Sequence, residues 1–123
     1  MNDILQKQGG NRCFGQLANK LIVIVSEVGV FGSDGERNSA FINGGMFAMN
    51  LLYALHYEKI AARTLNCSNW PKKDLELRKL CKIKESEEFI AIITCGNSPE
   101  NFRLAVSKRY NIKEISNVIL CIV

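Results

Sequence analysis

The side chains in this chain with the richest chemistry are five cysteines and a single histidine. Clustered thiolates and imidazoles are the usual ligands of zinc, arranged in short repeated spacings. Here Cys13, Cys67, Cys81, Cys95 and Cys121 form no C-x-x-C pair, and His56 has no ligand partner near it, so no metal site is expected. His56 also lacks an acid–base partner and reads as a structural residue close to a helix end. Met46 and Met49 read as core fillers, and the Lys72-Lys73 pair as a solvated helix face. There is no G-x-G-x-x-G after a strand, no Walker loop, no G-x-S-x-G and no H-E-x-x-H. Common hydrolases, kinases and metalloenzymes are thereby set aside, and no side chain is nominated as catalytic.

The charge balance narrows the partners. Sixteen basic against twelve acidic residues give a formal net charge of +4. That suits an anionic ligand such as a phosphate. No basic run is interleaved with aromatics, so nucleic acid is not an expected partner. Leu21–Val25 and Met46–Leu55 are too short or too interrupted to span a bilayer, so no membrane is expected either. The odd number of thiols, behind a start that lacks an apolar signal core, reads as reduced cysteines in a cytoplasmic chain. The apolar end Val118–Val123 reads as a strand or docked tail, since Cys121 is not at the prenylation position.

With 123 residues, 47% hydrophobic and 23% charged, the chain has the values of one globular domain, residues 1–123. Residues 1–19 read as loop. Leu21–Val25 is a β-branched run expected to be a strand buried on both faces. After a glycine-rich connection, Phe41–Tyr57 is apolar around its whole circumference, the pattern of a helix buried on all sides. At about 1.5 Å per residue such a helix is some 25 Å long. A chain this small can scarcely cover it, so a homodimer through this helix is expected, along the stripe Gly44, Gly45, Ala48 and Leu52. Ala61–Cys67 reads as a short strand. A helix to about Cys81 follows, N-capped by Ser68 or Asn69, with Pro71 in its first turn and an apolar stripe of Leu77, Leu80 and Cys81. Phe89–Thr94 reads as a second buried strand closed by Cys95-Gly96. Asn101–Tyr110 is ambiguous, and Lys113–Val118 reads as one or two helical turns.

Several segments follow one another in a distinctive order. Glu36-Arg37-Asn38 precedes Phe41-Ile42-Asn43-Gly44-Gly45-Met46-Phe47-Ala48-Met49-Asn50-Leu51-Leu52-Tyr53-Ala54-Leu55-His56. Then come Thr64-Leu65-Asn66-Cys67-Ser68, and Asp74 to Leu80 with its L-x-L-R-K-L spacing. The strand ending in Cys95-Gly96-Asn97-Ser98-Pro99-Glu100 and the run Ser107-Lys108-Arg109-Tyr110-Asn111-Ile112 complete the set. This set resembles the nitroreductase-like family of FMN-dependent oxidoreductases, in particular members found beside polysaccharide-biosynthesis genes. The resemblance runs from about Gln8 to Val118 and covers only the C-terminal two thirds or so of the family domain.

The resemblance implies an α+β fold: a nitroreductase-like sheet with a long central buried helix, N-terminally truncated. It implies dimerisation through that helix, with FMN in two sites at the dimer interface. The strand after the helix would present backbone to the flavin ring, at Leu65, Asn66 and Cys67. A basic pair near the C-terminus, Lys108 and Arg109, would hold the FMN phosphate, by a point charge and a bidentate fork. NAD(P)H would be the co-substrate, with an unknown acceptor. The chain departs from the family in two ways. The initial helix and the Arg-Arg-Ser-type segment after it are missing, and the usual Leu-Gly-Leu-Gly turn is replaced by Glu58-Lys59-Ile60-Ala61-Ala62. Two alternatives therefore stay open: a truncated, non-catalytic homologue acting as a dimerisation or interaction domain, and a small phosphate-binding module without redox chemistry.

Overall fold

The apolar runs pair with one another into an antiparallel sheet. The computed structural model describes residues 1–11, 14–98, 100–101 and 108–117. Three strands, β1 (Lys20–Glu27), β2 (Ile60–Leu65) and β3 (Glu87–Asn97), lie in the order β1-β3-β2, antiparallel throughout. The longest and most apolar strand is central because only the centre is covered on both faces and both edges. Helices α1 (Asn2–Gln8) and α3 (Pro71–Cys81) cover one face, and α2 (Ser39–Tyr57) covers the other. A single helical turn, α4 (Ile112–Ile115), follows near the end of the described residues.

Side-chain alternation sorts the core into two layers. Leu65, Phe89 and Ile92 meet Leu5 of α1 and Leu77 of α3. On the opposite face Ile24, Ala91, Ile93 and Cys95 meet Ala48 of α2. β1 contributes Leu21 and Val23 to the first layer and Ile22 and Ile24 to the second, as expected for a run apolar at every position. A β-bulge interrupts the alternation. Ile24 pairs with Ala91 and Val25 with Phe89, so Ile90 is the extra residue and joins Ala91 on the α2 side.

Gly44 answers that bulge. A Cβ on Gly44 would lie 2.6 Å from Ile90 Cγ1 and 2.7 Å from Cγ2, so only glycine lets α2 settle on the bulged side chain. The sheet-facing stripe of α2 is thus Ala40, Gly44, Ala48, Leu51, Leu52 and Leu55. This corrects the expected dimer stripe: Gly44, Ala48 and Leu52 are occupied by the chain's own sheet, and Gly45 lies to one side in open space. The far face carries Ile42, Met46, Met49, Tyr53 and Tyr57, all more than half exposed. The all-round apolar pattern therefore splits into one stripe on the sheet and one bare stripe.

Other boundaries shift for local reasons. The expected N-terminal loop contains α1, ended by Gly9 in the left-handed region at φ 77°. Its Lys7 pairs with Glu76 of α3. α3 starts at Pro71 after an extended Trp70, and no side chain caps it, so Ser68 and Asn69 do not serve as the cap. Of its expected stripe, Leu77 is fully buried, Cys81 is partly buried, and Leu80 is 40% exposed. Arg78 stitches α3 to the sheet, bonding Asp74 at 2.7 Å, Glu88 at 2.6 Å and the Glu87 carbonyl at 2.6 Å. Among the described residues no helix is long and apolar enough to cross a membrane.

Candidate functional site

Strand β2 is an edge strand, and the features that could bind a ligand lie along it. Its pairing with β3 stops at Leu65–Ile92, so the backbone of Asn66 and Cys67 leaves the ladder there. Leu65 is buried among Leu77, Phe89 and Ile92. Asn66 is exposed, and its side-chain oxygen accepts the Ser68 N–H, closing a tight Asx turn. Its main-chain carbonyl accepts a bond from Gln8 Nε2 at 2.8 Å. Gln8 is itself 7% exposed, with Oε1 accepting the Gly10 N–H and its carbonyl held by Lys73 Nζ at 2.9 Å. In a trans peptide the N–H points opposite to the C=O. By fixing the Asn66 carbonyl, Gln8 therefore fixes the direction of the Cys67 N–H.

The Cys67 thiol is partly buried beside the same core. Burial pushes it up to about 11, against the backbone N–H of Ile92, which lowers it. It is a protonated thiol at neutral pH and no nucleophile. Cys81 and Cys95 are also raised by burial. Lys108 and Arg109 are exposed, in irregular chain ahead of α4. The structure thus gathers Leu65, Asn66 and Cys67 at one strand end with Gln8 behind them. No described hydrogen bond or ion pair joins Lys108 or Arg109 to that strand end.

A cavity of about 970 Å³ opens along the other part of β2, between the C-terminal end of α2 and the end of β3. Phe14, Leu17 and Leu52 form apolar walls, and His56, Lys59 and Arg63 supply nitrogen. The local chain explains the placement. α2 ends at Tyr57 with Glu58 as its C-cap, and Lys59 takes the left-handed conformation at φ 59° to turn into β2. Arg63 lies with its guanidinium 4.6 Å from the Phe14 ring centroid. Gly96 admits the turn at Gly15–Leu17, since a Cβ there would meet the Leu17 carbonyl oxygen at 2.5 Å. The sequence pattern left Phe14 and Arg63 unremarked, named Lys59 only within the segment that replaces the family's turn, and set His56 aside as structural. A lone arginine after Ala61-Ala62 on a short strand was the available signal.

No protein-family model matches the chain. No curated protein sequence matches it either. Solved structures do. The chain is similar to a Parabacteroides distasonis protein described as an NADH dehydrogenase/NAD(P)H nitroreductase, at 17% identity with a TM-score of 0.68. That match covers 95% of this chain and 67% of the other. It is also similar to a Clostridium acetobutylicum protein described as an NADH oxidase, at 17% identity and a TM-score of 0.59. There 94% of this chain and 70% of the other are covered. An α+β chain with a three-stranded antiparallel sheet and a long helix on one face, overlapping 67% and 70% of these two proteins along nearly its own whole length, has the nitroreductase-like fold.

Proposed function

We propose that the chain is an FMN-dependent NAD(P)H oxidoreductase of nitroreductase type, acting in the cytoplasm as a homodimer. The observation that carries this is the overlap of almost its whole length with one protein described as an NADH dehydrogenase/NAD(P)H nitroreductase and one described as an NADH oxidase. FMN, when bound, supplies hydride acceptance from NAD(P)H and onward donation to an acceptor.

The end of β2 is where this chain fits FMN. A flavin ring is bound through backbone donors, and the peptide between Asn66 and Cys67 is off the ladder with its carbonyl held by Gln8. The Cys67 N–H is therefore a preset donor, and Leu65 anchors it to the core. Lys108 and Arg109 would hold the phosphate, their exposure leaving both cations open to a dianion. No side chain at Leu65–Cys67 moves a proton: the thiol stays protonated and the amide side chain is tied to Ser68. Binding and orientation are the chain's part.

The bare stripe of α2 supports the homodimer. Five large side chains, Ile42, Met46, Met49, Tyr53 and Tyr57, recur on one helix face with no partner among the described residues. The same stripe favours the second reading, a non-catalytic dimerisation domain, which needs no flavin. Arg109→Ala separates the two. It should loosen FMN about ten- to a hundredfold while leaving riboflavin, which lacks the phosphate, nearly unchanged. Equal losses, or no binding of either, would remove the proposed phosphate role.

A further inference from the structure

The cavity beside β2 lies away from Leu65–Cys67, and the function proposed above leaves it unused. Its charged lining is one-signed: Lys59, Arg63 and His56 face it, and among the described residues no aspartate or glutamate lines it. Elsewhere in the fold the described ion pairs are made by Arg78, which meets two carboxylates, and by Lys7 and Lys84, which meet one each. Among the described residues Arg63 makes no ion pair and its guanidinium donates no hydrogen bond. It lies over the Phe14 ring instead, with its planar fork unspent. Thr94 and Asn97 add hydroxyl and amide groups, and Leu17 and Leu52 add apolar wall. A cavity of about 970 Å³ is at the upper end of the size of small-molecule pockets.

We propose that this cavity binds a small aromatic anion, its carboxylate or phosphate gripped by Arg63 and Lys59 and its ring packed on the apolar walls. The assignment follows from what each part of the cavity lacks. A cation would meet three nitrogen-bearing side chains and no carboxylate. An uncharged apolar ligand would leave the Arg63 fork desolvated without a partner. An anion with a flat body satisfies both. The proposal does not rest on the flavin reading, because its residues are not those assigned to FMN.

The test uses 1-naphthyl phosphate, 1-naphthoate and the uncharged 1-naphthol, titrated into the full chain and followed by ligand fluorescence and backbone amide shifts. Lys59→Asn removes the charge while keeping a residue that tolerates positive φ, so folding is not put at risk. Arg63→Met keeps an apolar stem over Phe14 and removes the fork. At least one anion should bind about tenfold or more tighter than 1-naphthol, shifting the amides of Ala61, Ala62, Gly96 and Asn97. Each substitution should weaken the anion severalfold and leave 1-naphthol unchanged, and added salt should act in the same direction. Binding of one anion and not the other supports the proposal and assigns the head group. Equal affinity for anions and 1-naphthol, undiminished anion binding in the double variant, or no binding at millimolar ligand would overturn it.

Discussion

Gly44→Ala is a substitution that helix propensity alone predicts to be favourable and that this fold predicts to be harmful. Replacing an interior helical glycine by alanine gains about 1 kcal/mol. At Gly44 the new Cβ would sit 2.6 Å and 2.7 Å from the two γ carbons of Ile90, held on the α2 side by the β3 bulge. Overpacking of this kind costs about 1–3 kcal/mol, so the net effect is a loss of about 0–2 kcal/mol. Gly45→Ala is the control: nothing lies within 4 Å of its Cβ, so it should show the propensity gain alone. The two variants should therefore differ by about 1–3 kcal/mol in urea denaturation, or several degrees in Tm. A double-mutant cycle with Ile90→Ala isolates the contact, and the pair should be less destabilised than the sum of the singles by at least about 1 kcal/mol. If Gly44→Ala stabilises as much as Gly45→Ala, and shows no coupling to Ile90, α2 does not pack on the bulge.

Three further outcomes follow from other parts of the fold. Arg78→Ala strands Asp74 and Glu88 and frees the Glu87 carbonyl, and should cost about 1.5–3 kcal/mol in the same assay. Met49→Lys places a charge in the middle of the bare α2 stripe. It should turn a dimer into a monomer in sedimentation velocity while leaving the thermal transition intact, since Met49 is 52% exposed. Burial raises the Cys67 thiol from 9.0 to about 11, so above pH 9 the unfolded chain loses this proton before the folded chain does. Stability should thus be level below about pH 9 and fall from there towards pH 11, and Cys67→Ala should flatten part of that fall.

Much of the fold was legible because burial leaves a periodic trace. Leu21–Val25 is apolar at every position, Phe89–Thr94 at every position but Thr94, and they became the paired strands β1 and β3. Pro71 marked the start of α3, although Trp70, not a hydroxyl or amide side chain, precedes it. What escaped depends on contacts between distant residues. The short α1 has only Ile4 and Leu5 as apolar anchors, and its helicity depends on packing against α3. The identity of the sheet-facing stripe of α2 could not be read from a segment apolar all round; the bulge at Ile90 decided it. The candidate site was half visible. Leu65, Asn66 and Cys67 were named through the family resemblance alone, and Gln8, 58 residues earlier, holds the Asn66 carbonyl by a hydrogen bond that no local pattern announces. Lys59 and Arg63 come together with Phe14 and the end of β3 only in the folded chain.

Flavin-dependent hydride transfer by this fold is tested most directly by reductive bleaching of bound FMN. The full chain is saturated with FMN without oxygen, freed of excess cofactor, and treated with NADH or NADPH while the flavin absorbance is followed. Loss of the oxidised flavin band in proportion to protein, slowed when Gln8→Ala releases the Asn66–Cys67 peptide, is the predicted result. A dimeric chain that retains no FMN at any concentration, or whose bound FMN is left unreduced by both nicotinamides, would contradict it and leave the dimerisation domain as the function.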